Sequence, residues 1–426
     1  MYKRAFEPVE SVEETVIKNI EKEKVNAIVC FDKVYETGVK PIEEYIYNEL
    51  NIDKVLITKI IDSLPLIESA LYKMKCKDED VVKNVSTLYS GINILNVNRF
   101  LRESRYQLSY TNPYTENEIA TICHSSGTTG IPKTIPSSNE NVNFIAFQHQ
   151  ISNIDYSRVK TFLHVLPGFA QFGFSDSMHL GHSLGLEMIE IPIFSQENII
   201  DILLDTKANC LFGSPSFWLR LIGDDRYKDA DLSFLYEAVY GGGSLTITQV
   251  ANINRFLVAH NAKCLLRTGY GMSEFNGTCI LEDPFMSTPG SCGFDLPGGS
   301  GIIINPDTMK EVSTGESGNL YYSKGSNPIC EFDGKVLHEV LNINGMRKNA
   351  RGEYFFEGRA SGMICRYDGY KVYPCVLENA ITSSPFIEDA MVSEYYDKTK
   401  FGAMPLIYVI LSKNSKAIDI KSIISS

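Results

Sequence analysis

The sequence predicts an α/β layered structure that passes into a β-rich region and ends in a small α/β tail. Three observations carry that reading. Stretches with helical spacing of apolar residues alternate with apolar runs of strand length. Several of these runs empty into loops bearing glycine or serine. From about Ser287 the pattern changes to short runs punctuated by glycine, proline and aspartate.

In chain order, VEETVIKNIEKEKVNAIVCFD reads as an amphipathic helix running into a buried strand. PIEEYIYNELNIDKVLIT repeats the unit. FSQENIIDILLDTKANCLFGSP, DLSFLYEAVYGGGSL and TITQVANINRFLVAHNAKCLLRTGYG are further strand-bearing units of the same kind. Ligand sites of α/β folds favour the loops at the carboxyl ends of such strands. STPGSCGFDLPGGSGIIINPDTMKEVSTGESGNLYYS reads as antiparallel strands. After Arg359 come a hairpin-like pair around Asp368-Gly369, a helix near VLENAITS and the strand PLIYVILS. No fixed-period repeat or low-complexity tract appears.

Composition narrows the function classes. At 426 residues the chain is long enough for two or three domains, and 44% hydrophobic against 22% charged residues excludes a largely disordered chain. A net charge of −12 argues against non-specific nucleic-acid binding, which needs a positive field. None of the ten cysteines forms a C-x-x-C pair, so a zinc ribbon or thioredoxin-type site is not expected. No secretory h-region opens the chain and no apolar run reaches membrane-span length. The expectation is free cysteines in a cytoplasmic protein.

Four segments carry chemistry. The first is Cys123-His-Ser-Ser-Gly-Thr-Thr-Gly-Ile-Pro-Lys133, after the apolar run EIATIC. Its glycines can turn backbone N–H groups inward, its hydroxyls can donate, and Lys133 supplies charge. Read alone, it is either a phosphate cradle or a polar turn. It is not a Walker A loop, because the spacing fails. The second, Tyr240-Gly241-Gly242-Gly243-Ser244-Leu245, permits close approach of a flat ligand, or is a flexible turn. In the third, Gly269-Tyr270-Gly271-Met272-Ser273-Glu274, a ring can stack on a base and a carboxylate can hold Mg²⁺. It reads equally as a core tyrosine with a solvated glutamate. The fourth runs from Gly358-Arg359 to Pro374 and is either a hinge with an anion-binding arginine or an ordinary linker.

Together, in this order and spacing, the four segments resemble the adenylate-forming superfamily of acyl-CoA synthetases, peptide-synthetase adenylation domains and luciferases. PGSCGFDLPG and GESGNL also look like its barrel-domain signatures. The resemblance implies a large AMP-binding domain over 1–358, with two sheets layered between helices and a β-rich subdomain at about 287–358. It implies a hinge and a shortened C-terminal domain over 359–426. It further implies activation of a small carboxylic acid with ATP and Mg²⁺ to an acyl-adenylate, with release of pyrophosphate. A thiol then takes the acyl group, from coenzyme A or the phosphopantetheine of an acyl-carrier protein.

By match, Ser125, Ser126, Gly127, Thr128, Thr129, Gly130 and Lys133 would hold phosphates. Gly241, Gly242, Gly243, Tyr270, Gly271 and Ser273 would line the adenine slot, and Glu274 with Thr128 would bind Mg²⁺. Lys133, Thr128 and Glu274 would be the catalytic groups. Arg359 would reach the ribose or phosphate.

The sequence departs from the family in several places. The ribose-gripping aspartate aligns with Asn344, the hinge aspartate with Ser361 or Gly362, and the histidine of the Leu-Pro-x-Phe-His segment with Ala170. Pro374-Cys-Val-Leu-Glu378 loses one glutamate, and Lys413, Lys416 and Lys421 lack the context of the late catalytic lysine. Phe172 stands where amino-acid-activating relatives carry an aspartate, with Asp176 nearby, which favours an aryl or aliphatic acid. Phe169, Phe172, Phe212, Met272 and Phe275 are either lining of an acyl pocket or core. His124 reads as a wall residue, and His179 and His182 as core or helix-face residues. The resemblance leaves three readings: an active acid–thiol ligase, a degenerate nucleotide-binding module, or a partner performing only the first half-reaction.

Overall fold

The computed structural model describes residues 12–52, 54–59, 93–96, 113–124, 134–191, 198–324, 330–332, 335–337, 340–359, 364–365, 371–372, 374–397 and 402–412. The chain divides into two compact units, Met1–Pro113 and Tyr114–Ser426.

In the first unit, α1 (Val12–Glu23) leads to β1 (Ile28–Phe31). Short helical turns then run into α2 (Glu43–Asn48), followed by β2 (Lys54–Thr58) and β3 (Asn93–Asn96). The strands form a parallel sheet in the order β1-β2-β3. Its core gathers Ile20, Tyr35, Ile46, Ile52, Val55 and Ile57, and the Tyr35 hydroxyl donates to Glu43. Apolar residues at helical spacing followed by a β-branched run produce this arrangement, as the sequence predicts.

The second unit opens with the antiparallel pair β4 (Ile119–His124) and β5 (Thr134–Ser138), in which His124 faces Thr134. Helix α3 (Asn139–Gln150) follows, its start closed by the reciprocal Ser138–Asn141 capping box. Next come β6 (Thr161–His164), a helical stretch from Gln171 to Ser183, and β7 (Glu187–Glu190). Then come α4 (Ile199–Thr206), β8 (Cys210–Gly213), α5 (Pro215–Gly223) and β9 (Glu237–Tyr240). They are followed by α6 (Ile247–Ala259), β10 (Leu266–Met272), β11 (Gly277–Leu281) and β12 (Phe294–Asp295). Seven of these strands make one sheet in the order β12-β11-β10-β9-β8-β6-β7. Its β10-to-β7 part is parallel, and β11 and β12 add antiparallel at one edge.

Both faces of the parallel part are covered, which is why the centres of its strands are mostly apolar. Leu163, Leu211, Ala238 and Leu266 face a core with Leu203 of α4, Trp218 of α5 and Leu257 of α6. Their neighbours Phe162, Cys210, Phe212 and Val239 face the opposite side, with Ala146 of α3 and Leu180. The alternation is the period of two that a strand imposes.

Beyond the sheet, β13 (Gly299–Ile304), β14 (Ser317–Lys324), β15 (Cys330–Phe332), β16 (Lys335–Leu337), β17 (Val340–Lys348) and β18 (Tyr354–Arg359) follow. Four of them form an antiparallel sheet, β13-β14-β17-β18, which is the expected β-rich region. The tail contains β19 (Ile364–Cys365) and β20 (Lys371–Val372), then α7 (Pro374–Thr382), then the long hairpin of β21 (Ile387–Asp397) and β22 (Gly402–Leu411). These match the hairpin, helix and strand expected after Arg359. No helix among the described residues is long and apolar enough to cross a membrane.

A buried polar knot holds the edge of the large sheet. Asp176 Oδ1 lies 3.0 Å from His149 Nε2 of α3 and accepts the Thr278 N–H of β11 at 3.0 Å. A carboxylate only accepts, so Nε2 donates, and Nδ1 lies in hydrogen-bond contact with the Tyr156 hydroxyl at 3.2 Å. Asp176 and His149 are both inaccessible to solvent. Asp176→Ala would leave a buried ring N–H and a buried backbone N–H without an acceptor. It should lower unfolding free energy by about 3 kcal/mol in urea titration, whereas Asp176→Asn should cost clearly less.

Candidate functional site

The carboxyl ends of β9 and β10 open on a cavity of about 440 Å³, within the range of small-molecule sites. One wall is the glycine run after β9, contributing Gly242, Gly243, Ser244 and Leu245. A second is Thr268–Gly271 of β10. Ile247 and Val250 of α6 supply apolar surface, and Gly290–Cys292 close another side. Phe356 and Gly358 of β18 and Pro374, Glu378 and Asn379 of α7 complete the lining.

Two glycines explain why the sequence is so plain here. Gly242 has φ +74°, the left-handed region that glycine enters without penalty. At Gly271 a side chain would collide with the Gly277 carbonyl, because β10 and β11 slip by a bulge between Tyr270 and Gly271. The bulge re-aims the strand just before the one-turn helix Ser273–Phe275 that carries Glu274, which is half-buried. The Tyr270 ring, 5.9 Å from that of Phe356, stands at the cavity wall.

Helix α7 is held to α6 by hydrogen bonds at the start of α6. Thr246 caps α6 in a box with Gln249. The Ile247 N–H, one of the donors a helix start leaves over, is taken by Asn379 Oδ1 at 3.1 Å. Thr248 Oγ1 donates to the Thr382 carbonyl at 2.8 Å. These bonds bring Glu378 to the cavity.

Of the residues singled out in the sequence, Gly242, Gly243, Tyr270 and Gly271 come together on this cavity. Gly241 lies behind it, where a side chain would meet the Phe172 ring. Asn344 stands opposite Arg359 in the β17–β18 register, one pair from Gly345 and the cavity residue Gly358. Ser125, Ser126, Gly127, Thr128, Thr129, Gly130 and Lys133 lie outside the described residues; their flanks, His124 and Thr134, are paired. Ser361, Gly362 and the late lysines Lys413, Lys416 and Lys421 lie outside them too.

The five apolar candidates are not gathered in one place. Phe172 and Phe212 stack at 6.5 Å between centroids, beneath the glycine run. Phe275 is fully buried against Tyr322 in the β-rich region's core, with Met272 at that core's margin. Phe169 is 82% exposed in the turn after β6. The π-type winding from Phe174 to His179 turns Asp176 inward to His149 and Thr278, so it is spent on structure rather than offered to a ligand amine. His179 bonds Asn143 on α3, a helix-face role. Among the described residues no cluster of three metal-ligating side chains exists.

Sequence reasoning missed Glu282, which follows β11 and lines the cavity while only 9% exposed. Its Oε2 accepts the Thr268 N–H at 2.9 Å. Burial pushes its carboxyl up to about 7, against the partial pull of that hydrogen bond and of Arg267. Arg267 bonds Glu237 at 2.8 Å and the Glu282 carbonyl at 2.7 Å. The acidic pair Glu282-Asp283 that closes CILED was the only signal, and it reads as a solvated strand end. A carboxyl whose folded pKa is raised holds its proton more tightly when folded, so its contribution to stability is lost as pH rises through 7. Glu282→Gln keeps an acceptor for Thr268 and removes the charge. In urea titrations it should match the parent at pH 5 and exceed it at pH 8 by up to about 3 kcal/mol.

Comparisons with known proteins place the family and the fold. The profile of the AMP-binding enzyme family matches residues 11–327. A probable 4-coumarate–CoA ligase 1 of Dictyostelium discoideum is 24% identical over 381 residues, which cover 87% of this chain and 67% of that protein. A long-chain-fatty-acid–CoA ligase of Bacillus subtilis (strain 168) is 24% identical over 411 residues, covering 92% and 69%. Against a second probable D. discoideum 4-coumarate–CoA ligase the matched part is 55% of that relative's length. Among solved structures, the anthranilate–CoA ligase AuaEII in complex with anthranoyl-AMP superimposes with a TM-score of 0.75 at 17% identity, over 95% of this chain and 72% of that one. ATP-bound MatB from Rhodopseudomonas palustris superimposes at 0.70 and 19%, over 98% and 74%. The chain therefore has the fold of these ligases, and it belongs to the AMP-binding enzyme family.

Proposed function

We propose that this protein activates a carboxylic acid with ATP, forming an acyl-adenylate and pyrophosphate, and passes the acyl group to the thiol of coenzyme A or of a carrier protein. The observation that carries this reading is the cavity at the ends of β9 and β10, lined by the glycine run and Tyr270 in a member of the AMP-binding family.

The donor set fits a nucleotide. Gly242 and Gly243 leave room for a flat base against bare backbone, and Tyr270 supplies a ring at the wall. Gly241 and Ser273 flank these positions. Asn344 and Arg359, paired across β17 and β18 beside the cavity, are assigned to the ribose and phosphate. Ser125, Ser126, Gly127, Thr128, Thr129, Gly130 and Lys133 are assigned to the β- and γ-phosphates by their motif. Magnesium commonly takes one or two protein carboxylates with phosphate oxygens, so Glu274, with Thr128, is a sufficient protein share. When bound, the ion would offset phosphate charge. Lys133 would add fixed positive charge and hold the phosphates for in-line attack at the α-phosphorus. Phe172 and Phe212, beneath the glycines, favour an aryl or aliphatic acid over an amino acid.

A second reading is a module that binds the nucleotide without completing the reaction. Asn344 favours it: the family's aspartate at that position is replaced by a neutral acceptor, and charge-assisted hydrogen bonds are about twice as strong as neutral ones.

Carboxylate-dependent ATP–pyrophosphate exchange with Mg²⁺, across aryl, short-chain, long-chain and amino acids, tests the first reading. Exchange with one acid class is expected. ATP binding without exchange for any class would overturn it in favour of the second. Lys133→Ala and Glu274→Ala should each reduce exchange at least ~10-fold, and parent-like rates in both would refute those assignments. Asn344→Asp should tighten ATP binding in calorimetry; unchanged or weaker affinity would remove Asn344 from the ribose site.

A further inference from the structure

The cavity holds one carboxylate oxygen that the preceding reading leaves without a role. Glu282 is 9% exposed, and one of its oxygens is taken by the Thr268 N–H. Among the described residues no group donates to its other oxygen, Oε1, and the side chain lines the cavity. A carboxylate this buried is costly unless something bonds it.

The groups around Glu282 do not neutralise it. From β10, Arg267 is committed to Glu237 through Nε, and to Asn153 and the Glu282 backbone carbonyl through a terminal nitrogen. From β9, the Tyr240 hydroxyl is hydrogen-bonded to Thr268, and burial together with the Glu282 charge pushes it up. Cys292 is likewise pushed up by burial, to about 12, and stays a neutral thiol. Asp283, next in the chain, adds negative charge, and from α7 Glu378 spends its Oε1 on the Val392 N–H. Glu282 Oε1 is thus left without a donor among the described residues, in a cavity whose lining also includes the apolar Leu245 and Val250 and bare glycine backbone. Such a place suits a flat heterocycle whose edge carries an N–H donor.

We propose, resting on the nucleotide reading above, that Glu282 is a specificity-determining residue whose Oε1 accepts a hydrogen bond from the exocyclic amine of adenine. A base with an oxygen at that position would set acceptor against acceptor in a buried place. Sites built to bond a polar group reject analogues lacking it far more strongly than apolar pockets reject a misfit.

The test compares dissociation constants of ATP and ITP, in which that amine is replaced by a carbonyl oxygen and N1 gains a proton, with purine riboside triphosphate, which lacks only the amine, as the control. Calorimetry on the whole chain with Mg²⁺ at pH 8 should give at least a ~10-fold preference for ATP. In Glu282→Gln the Thr268 N–H would claim the amide oxygen and turn the NH₂ toward the base. The ATP-to-ITP preference should therefore fall at least ~10-fold, toward or past unity. An unchanged ratio with ATP still bound would overturn the proposal while leaving the nucleotide reading intact. No binding of either nucleotide by the unaltered protein would remove both.

A second measurement needs no variant. In the unaltered protein the ATP preference should widen from pH 6 to pH 8, as the carboxyl, pushed up to about 7, loses its proton and can only accept. Phosphate ionisation is common to both nucleotides and cancels in the ratio, so a preference that does not change with pH would also overturn the assignment.

Discussion

The placement of the cavity depends on one buried carboxylate. Asp176 joins the helical stretch after β6 to His149 on α3 and to the backbone of β11. β11 is bound in turn to β10, and the bulge between them decides where Tyr270, Gly271 and the Glu274 turn point. Gly277 leaves no space for a side chain against Asp176, so strand and carboxylate approach closely. A carboxyl group buried this deeply is tolerated only when it is hydrogen-bonded, and here an imidazole and a backbone amide donate to it.

A neighbouring network ties the strand leaving the glycine-rich segment to the same place. The Ser137 hydroxyl of β5 donates to Asn276 Oδ1 at 2.7 Å, and Gln171 donates to the same oxygen. Asn276 sits in the left-handed conformation one residue past Phe275, at the end of the Glu274 turn. β5, the strand that follows the Ser125–Lys133 segment, is therefore linked near its carboxyl end, through Ser137 and Asn276, to the turn that carries the candidate metal carboxylate. Phosphate chemistry requires groups held in fixed mutual positions, and a buried hydrogen-bond network supplies that rigidity.

Much of this was legible from residue order. The glycine runs at strand ends and the alternation of helices with apolar strands each follow from local rules. Other features were not legible. Glu282 looks like a solvated residue at a strand end until β10 and the loop at Ser291 enclose it. Asn379 looks like an ordinary helix residue until it caps a helix start 132 positions earlier in the chain. Phe169 and Phe275 share the composition of an acyl pocket, yet one is in solvent and the other in a different core. Aromatic side chains serve both purposes equally, and only packing separates them.

By itself, then, the sequence determined the α/β class, the order of its elements, the family and the glycines that leave bare backbone on the cavity wall. These depend on periodicity, on turn chemistry and on glycine's lack of a side chain, all of which act within a few residues. The tertiary structure alone decided that Asp176 would serve the core rather than a ligand, that α7 would wall the cavity, and that Glu282 would be buried with an oxygen to spare. Those outcomes turn on desolvation and on hydrogen-bond partners drawn from more than a hundred residues away, which no local pattern encodes.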